Sequence, residues 1–176
     1  MLEMFMSNPA VSLLKEDHDT VKRLFDEFDA AKSRPAKRKI VREALTELKV
    51  HAAIEEELFY PAVRKAIGKE IKNEADEEHH VAKLLIAELD SMDGSESHFD
   101  AKFMVLAENV RHHIKEEENE MLPKAKAVKL DFDAIAEMMK RRKGAPFDGR
   151  RSCGQRRGDG EGKPREGGLT RENCEA

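Results

Sequence analysis

Apolar residues recur every three to four positions along most of the chain, the spacing of one face of an α-helix. This pattern predicts four long helices and a short fifth one. Helix A begins after Asn8-Pro9, helix B runs from about Pro35 to Ile67, helix C from about Glu70 to Met92, helix D from Ser97 or Asp100 to Pro123, and the fifth helix from about Asp131 to Arg142. Because the connections are short, neighbouring helices must run antiparallel, which predicts an all-α, up-down-up-down four-helix bundle.

Prolines and glycines mark the limits of these helices. Asn8 is expected to cap the first helix and Pro9 to occupy its first turn. Gly68 is expected to end helix B as a C-terminal cap, and Gly94 to end helix C. Pro61 lies inside the helix B pattern, and because proline lacks a backbone N–H it is expected to kink or break that helix.

The composition agrees with a helical, water-soluble domain. Charged residues make up 39% of the chain, tryptophan is absent and only one tyrosine is present. No apolar run approaches the roughly 20 residues that cross a bilayer, so no membrane association is expected. The segment from Met1 to Ala10 lacks the basic and apolar regions of a secretory signal, and a cytoplasmic location is therefore predicted.

Charge divides the chain into an acidic body and a basic tail. Residues 1–140 carry a net charge of −8 and residues 141–176 a net charge of +4. An acidic body argues against a nucleic-acid partner. We predict one domain over residues 1–142 and a disordered, Gly/Arg-rich tail over residues 143–176. Both cysteines, Cys153 and Cys174, lie in the tail and lack a metal-ligand spacing.

The body contains an internal duplication. Residues 16–29 align with residues 77–90 at an offset of 61, with six of fourteen positions identical, including His18 with His79 and Lys22 with Lys83. A His-x3-Glu-x5-Pro pattern occurs at residues 51–61 and again at residues 113–123, an offset of 62. Helices A–B and C–D are therefore predicted to be two copies of one helical hairpin, related by a pseudo-twofold axis.

Histidines and glutamates interrupt the apolar stripes of all four helices at matching levels. The stripe of helix B, for example, continues through Leu48 to Leu58. A single histidine on such a stripe is usually an ordinary core residue, but burying an unpaired carboxylate costs several kcal/mol. Six polar residues in a duplicated pattern are best explained by a buried metal site, and the candidate ligands are His18, His51, Glu55, His79, His113 and Glu117.

The ligand types narrow the choice of metal. Without thiolates a structural cysteine-type zinc site is excluded, whereas imidazoles with carboxylates suit iron or manganese, with zinc as a further alternative. Two octahedral ions need twelve ligand positions; four histidines, two bridging carboxylates and one bridging oxygen supply ten. About one position per ion then stays open for a small molecule. Twofold symmetry predicts one histidine pair per ion and leaves the pairing undecided.

The motifs resemble the haemerythrin-like, His-His-Glu (HHE) cation-binding family. The matching stretches are Leu-Leu-Lys-Glu-Asp-His18-Asp, His51-Ala-Ala-Ile-Glu55 through Pro61, Glu78-His79 followed by Lys83-Leu-Leu, and His113-Ile-Lys-Glu-Glu117 through Pro123. The resemblance covers about residues 10–130. It implies a four-helix bundle holding two iron ions as an oxo- or hydroxo-bridged di-iron centre, with these same six residues as ligands.

The chain also departs from the oxygen-carrying members that it resembles. Those proteins carry a second histidine one turn after the helix C ligand, where this chain has Lys83, and an aspartate where it has Glu118. The resemblance is therefore closer to bacterial proteins of peroxide or nitric-oxide responses, iron handling or iron–sulfur cluster repair. The predicted function is binding or sensing of O₂, NO or peroxide, or handling of iron; the alternative is a di-iron enzyme that disproportionates peroxide or reduces nitric oxide.

Residues around the predicted ligands carry further expectations. Tyr60 either donates a hydrogen bond to the site or fills the end of the bundle. Lys22 and Lys83 are expected to face solvent at helix boundaries. Four neighbouring glutamates are expected to be solvated, although one could complete a metal shell: Glu56, Glu57, Glu116 and Glu118. The expected partner is a small diatomic molecule or peroxide, and the expected assembly is a monomer or weak homo-oligomer.

Overall fold

The computed structural model describes residues 8–145, and these form helices and connections with no β-strand. Seven α-helical segments follow one another: α1 (Pro9–Ala30), α2 (Arg34–Ile54), α3 (Tyr60–Ile67), α4 (Lys69–Asp90), α5 (Phe99–Glu116), α6 (Leu122–Lys126) and α7 (Phe132–Lys143). Single π-helical turns join α2 to α3 (Glu55–Phe59) and α5 to α6 (Glu117–Met121). The first seven residues lie outside the described part. So do residues 146–176, which make up most of the tail predicted over residues 143–176.

The starts of the first two helices follow from their capping residues. The Asn8 side chain accepts a hydrogen bond of 3.1 Å from the Val11 N–H, and Pro9 occupies the first turn of α1. The Ser33 hydroxyl accepts one of 3.4 Å from the Ala36 N–H at the start of α2. These contacts satisfy backbone donors that have no partner within the helix. The predicted beginning of helix A is confirmed.

The bundle consists of two antiparallel hairpins, α1 with α2–α3 and α4 with α5–α6, as the short connections predict. Their apolar stripes meet in two clusters. One contains a layer of aromatic rings, with Phe103 at ring-centroid distances of 5.6 Å from Phe25 and 4.5 Å from Phe28. The other lies toward the opposite end and contains Phe59 and Tyr60. The predicted four-helix bundle with a short C-terminal helix is confirmed.

The α-helix of helix B is interrupted just before Pro61, as its sequence position predicts, and the interruption is a π-helical turn. The π-helical turn before it widens the helix, and the Tyr60 N–H donates to the Glu55 carbonyl five residues back. Pro61 therefore starts a new α-helical segment, where its missing N–H removes no bond of that segment. The wider turn also shifts the buried face, so Phe59 is fully buried while the predicted core residue Leu58 is only partly so.

The second repeat contains the same π-helical turn followed by a proline. The second π-helical turn begins at Glu117, as the first begins at Glu55, and Pro123 follows it at the place that matches Pro61. Both predicted glutamate ligands are thus the first residues of their π-helical turns. Such turns occur preferentially at functional sites.

Helix α7 packs mainly on the first hairpin. Its apolar residues, Phe132, Ile135, Ala136 and Met139, join the cluster that contains Leu14 and Ile54. Its last turn pairs Arg142 with Glu57 at 2.8 Å and Lys143 with Asp17. The fifth helix therefore covers the groove between α1 and α2. Among the helices of residues 8–145, none is both long and apolar enough to cross a membrane.

Candidate metal centre

The structure brings all six predicted metal ligands together in the middle of the bundle. Each histidine comes from a different long helix, and each glutamate begins a π-helical turn. Their exposed fractions are between 0% and 7% for His18, His51, Glu55, His79, His113 and Glu117. Polar side chains this deeply buried require partners, because an unpaired polar group in the core costs free energy.

The first of two ligand groups combines the histidines of α1 and α2 with both glutamates. His18, His51, Glu55 and Glu117 offer one atom each, and all four atoms lie within 4.8 Å of one another. His18 Nε2 lies 3.0 Å from Glu117 Oε2, and His51 Nε2 lies 3.1 Å from Glu55 Oε1.

The second group combines the histidines of α4 and α5 with Glu55. His79 Nε2 lies 3.2 Å from Glu55 Oε2 and 3.2 Å from His113 Nε2. Glu55 thus contributes one oxygen to each group. The geometry resolves the pairing that the sequence leaves open: His18 lies with His51, and His79 with His113, so each pair belongs to one hairpin.

Unpartnered atoms test whether these residues suit a metal. Among residues 8–145, eight buried side-chain nitrogen or oxygen atoms make no well-aligned hydrogen bond, and seven of them belong to His18, His51, Glu55 and Glu117. Orphaned polar atoms are rare in native proteins and call for an explanation such as an ion. Imidazole nitrogens and carboxylate oxygens converging on two points fit a pair of first-row transition-metal ions. The residues therefore fit a dinuclear metal centre.

Carboxylates lie next to the Nδ1 atoms of the four histidines, which we call their outer nitrogens. His18 Nδ1 lies 3.0 Å from Glu118 Oε1, His79 Nδ1 lies 2.9 Å from Glu56 Oε1, and His113 Nδ1 lies 2.7 Å from Glu78 Oε2. Asp17 lies farther, at 3.7 Å from His51 Nδ1. Such contacts fix the orientation and tautomer of a ligating histidine and leave Nε2 free for a metal.

The expectation that Glu56 and Glu118 are solvated is wrong. Each is partly buried, and the two lysines expected to face solvent hold them: Lys22 Nζ lies 2.9 Å from Glu118, and Lys83 Nζ lies 2.6 Å from Glu56. Glu56 matches Glu118 in the repeat, and Lys22 matches Lys83. The repeated lysines were therefore the sequence signal for the positions of these two glutamates, because a lysine at a helix boundary can reach a carboxylate of the facing hairpin.

Electrostatics show how the protein balances the buried charges before a metal binds. Burial lowers the pKa of His51, but attraction to Glu55 and to the nearby Asp17 outweighs it and raises the pKa to about 10. Burial likewise opposes protonation of His79, yet hydrogen bonding with Glu55 and Glu56 raises its pKa to about 9. Protons on these imidazoles thus offset buried negative charge, a role that a bound cation would take over.

Tyr60 breaks the twofold symmetry of the centre. It is buried, and its hydroxyl lies 3.4 Å from His113 Nε2. Burial and the Glu55 carboxylate raise the tyrosine pKa well above its ordinary value, so the phenol keeps its proton. Leu122 occupies the matching position of the other repeat and offers no such donor. Of the two alternatives from the sequence, the geometry favours a hydrogen-bond donor at the site.

An apolar cavity adjoins the histidines on the side of the aromatic layer. Its volume is about 30 Å³, and besides the four histidines Val21, Leu48, Ile86 and Val110 line it. This volume matches one water-sized or diatomic molecule. The centre thus borders a small apolar chamber.

Removing an outer carboxylate should weaken metal binding without emptying the centre. We expect Glu118→Ala to lower metal affinity about 10- to 100-fold, the usual cost of losing a partner of a ligating histidine. Titration of the metal-free protein with Fe²⁺ against a competing chelator measures this. Glu108→Ala removes an exposed glutamate elsewhere on α5 and should bind as the unchanged protein does. Equal affinities for both variants would show that Glu118 does not support His18.

The fold and the centre together define a class, the four-helix bundles that hold metal between histidine and glutamate side chains. The sequence model described as "Hemerythrin HHE cation binding domain" matches residues 10–125. The chain therefore belongs to the haemerythrin HHE cation-binding family.

A solved structure shares the fold. The crystal structure of a haemerythrin HHE cation-binding domain-containing protein from Mycobacterium kansasii matches with a TM-score of 0.62 and 25% identity, over 76% of this chain and 86% of that one. A curated relative, described as a DNA nickase of Nostoc sp., is 27% identical over 107 residues. This chain spans only 30% of the length of that relative.

Proposed function

We propose that this protein holds two iron ions between His18, His51, Glu55, His79, His113 and Glu117, and that the pair binds or senses a small oxidant: O₂, NO or peroxide. The observation that carries the proposal is the convergence of six buried ligand residues into two groups that share Glu55. Six of the seven orphaned atoms, all except His51 Nδ1, support it, because bound cations would give each of these six a partner.

The donor count leaves room for a ligand. Four imidazoles and two carboxylates offer eight donor atoms, fewer than the twelve positions of two octahedral ions. Iron would supply Lewis acidity and electron transfer at the remaining positions. The apolar cavity of about 30 Å³ beside the histidines fits a diatomic molecule or peroxide and excludes larger substrates. Handling of iron itself would require no such chamber, which favours binding of a small molecule.

Tyr60 favours a second candidate function, an enzyme that disproportionates peroxide or reduces nitric oxide. Reduction of nitric oxide consumes protons, and in peroxide disproportionation the half-reaction that forms water takes up the protons that the other half-reaction releases. The Tyr60 hydroxyl is a protonated donor only 3.4 Å from His113 Nε2. It could hydrogen-bond to a small molecule held on that side of the centre. The second repeat lacks this donor, so the chemistry would be confined to the His79–His113 side.

Elemental analysis followed by peroxide addition tests both functions. We expect about two irons per chain after anaerobic reconstitution. A single stoichiometric spectral change on adding peroxide supports binding or sensing, whereas sustained O₂ release supports the enzyme. In the second case Tyr60→Phe should slow O₂ release at least tenfold while leaving the iron content unchanged, since general acid catalysis contributes about 10²–10⁴-fold. Failure to retain iron after reconstitution would contradict the proposed centre.

A further inference from the structure

The groove between α4 and α5 leads from the surface to the centre and carries a series of carboxylates. Five glutamates line it together with His113, and we call it the acidic groove; its glutamates are Glu74, Glu78, Glu116, Glu117 and Glu120. It encloses a cavity of about 40 Å³. Within residues 8–145, no lysine or arginine forms an ion pair with any of these glutamates. The groove is therefore strongly acidic, and its ion-pair partners in the described part of the chain are histidines alone.

The duplication shows that this acidity is a property of one hairpin. At the matching positions of the first hairpin, Glu74 is replaced by Leu13, Glu116 by Ile54 and Glu120 by Leu58. These apolar residues belong to the cluster that receives α7. The first groove is thus apolar and covered, and the last turn of its covering helix is basic. The second groove is acidic, and none of the described helices covers it.

The groove also reaches a buried, unpartnered carboxylate. Glu117 is fully buried and lines the cavity, and neither of its oxygens has a hydrogen-bond partner. Its neighbour on the cavity wall, His113, belongs to the second ligand group. The floor of the acidic groove is therefore formed by two predicted ligands of the metal centre.

A second cluster of potential ligands lies beside the acidic groove and shares Glu78 and Glu116 with its lining. One atom each of Glu78, His112 and Glu116 lies within 4.8 Å of the others. His112 Nε2 lies 3.0 Å from Glu116 Oε1 and 3.7 Å from Glu78 Oε1, and this histidine is 61% exposed. The other oxygen of Glu78 lies 2.7 Å from His113 Nδ1. Glu78 thus touches both the exposed cluster and a buried ligand.

We propose that the acidic groove is the route by which divalent cations, Fe²⁺ in particular, reach the centre, and that Glu78, His112 and Glu116 form a transient binding site on it. Nitrogen and oxygen donors of this kind bind first-row divalent ions. A cleft lined by one sign of charge raises the local concentration of the opposite ion. From this cluster the ion passes to Glu117, which is fully buried, lines the same cavity and belongs to the first ligand group. The inference rests on the proposed dinuclear centre.

Uptake kinetics of the full-length, metal-free protein test the route. Fe²⁺ is mixed anaerobically with the protein, samples are quenched with a chelator at successive times, and the protein-bound iron is counted. The groove variant carries Glu74→Gln, Glu116→Gln and Glu120→Gln. The control variant carries Glu43→Gln, Glu47→Gln and Glu108→Gln, which change the net charge equally at other places on the bundle. Circular dichroism verifies that both variants fold.

We expect the groove variant to load at least about tenfold more slowly, within the range by which charged clefts change association rates, and to reach the same final iron content. The control variant should load at the rate of the unchanged protein. Two single variants test the route without the triple substitution. His112→Ala and Glu120→Lys should each slow iron loading and leave the final iron content unchanged.

The outcomes separate the route from the centre itself. If the unchanged protein retains no iron at equilibrium, the dinuclear centre is wrong and the route falls with it. If it binds two irons but the groove variant and the control variant load equally fast, the centre stands and the route is overturned. A groove variant that loads slowly while the control variant loads normally supports the route.

Discussion

Glu55→Gln should abolish binding at both ligand groups, the largest effect we expect of any single substitution. Glu55 Oε1 lies 3.1 Å from His51 Nε2, and Oε2 lies 3.2 Å from His79 Nε2. It is the residue common to both groups. Glutamine keeps the volume of the side chain and removes its charge, so the fold survives while each ion loses an anionic ligand. Metal affinity should fall by more than roughly 100-fold, the largest loss usually seen when a partner of a ligating histidine is removed.

Metal analysis after reconstitution checks this expectation, with His80→Ala as the control. His80 directly follows the predicted ligand His79 but is exposed, and it has no counterpart among the repeated histidines. The control should retain about two ions per chain. If Glu55→Gln also retained two ions, Glu55 would not be a shared ligand. If His80→Ala lost metal, the register of helix α4 at the centre would be wrong.

Removing the metal should lower the stability of the whole bundle. Glu55 and Glu117 are fully buried, and burial followed by the charge of Glu55 raises the pKa of Glu117. The metal-free protein therefore keeps two carboxyl groups buried next to each other, without a metal ion to offset their charge. A ligand present at about 1,000 times its dissociation constant stabilises the folded state by about 4 kcal/mol. For a domain of this size that corresponds to a shift of about 10 °C in Tm.

Thermal unfolding followed by circular dichroism measures the shift. The iron-loaded protein should melt about 10 °C higher than the same protein after dialysis against a chelator, and added Fe²⁺ should restore the difference. Glu55→Gln provides the control, because a protein that binds no metal should melt at one temperature with or without the chelator. Identical melting of the unchanged protein in both conditions would contradict a centre that is part of the folded core.

The sequence was sufficient for the architecture and for the position of the six candidate ligands, because both depend on periodicity. Apolar residues three to four apart define helix faces, and the repeated His-x3-Glu spacing puts two polar side chains on one face. The capping residues Asn8 and Gly68 lie at helix limits as predicted. The duplication added the symmetry and separated His79 from the adjacent His80.

The sequence was insufficient where one local irregularity changes the register. A π-helical turn inserts one residue into the helical repeat, so the face predicted to continue through Leu58 continues through Phe59 instead. The positions of Glu56 and Glu118 were missed for another reason. Their partners, His79 and His18, lie on different helices, and periodicity within one helix does not report contacts between helices.

Two of the four outer carboxylates are exchanged between the hairpins: Glu118 of the second holds His18 of the first, and Glu56 of the first holds His79 of the second. Each hairpin is consequently half of a site. A single hairpin of this kind could therefore complete the centre only by pairing with a second copy. The two halves of this chain are similar but not identical. One hairpin carries Tyr60 where the other has Leu122, and one groove is apolar and covered whereas the other is acidic.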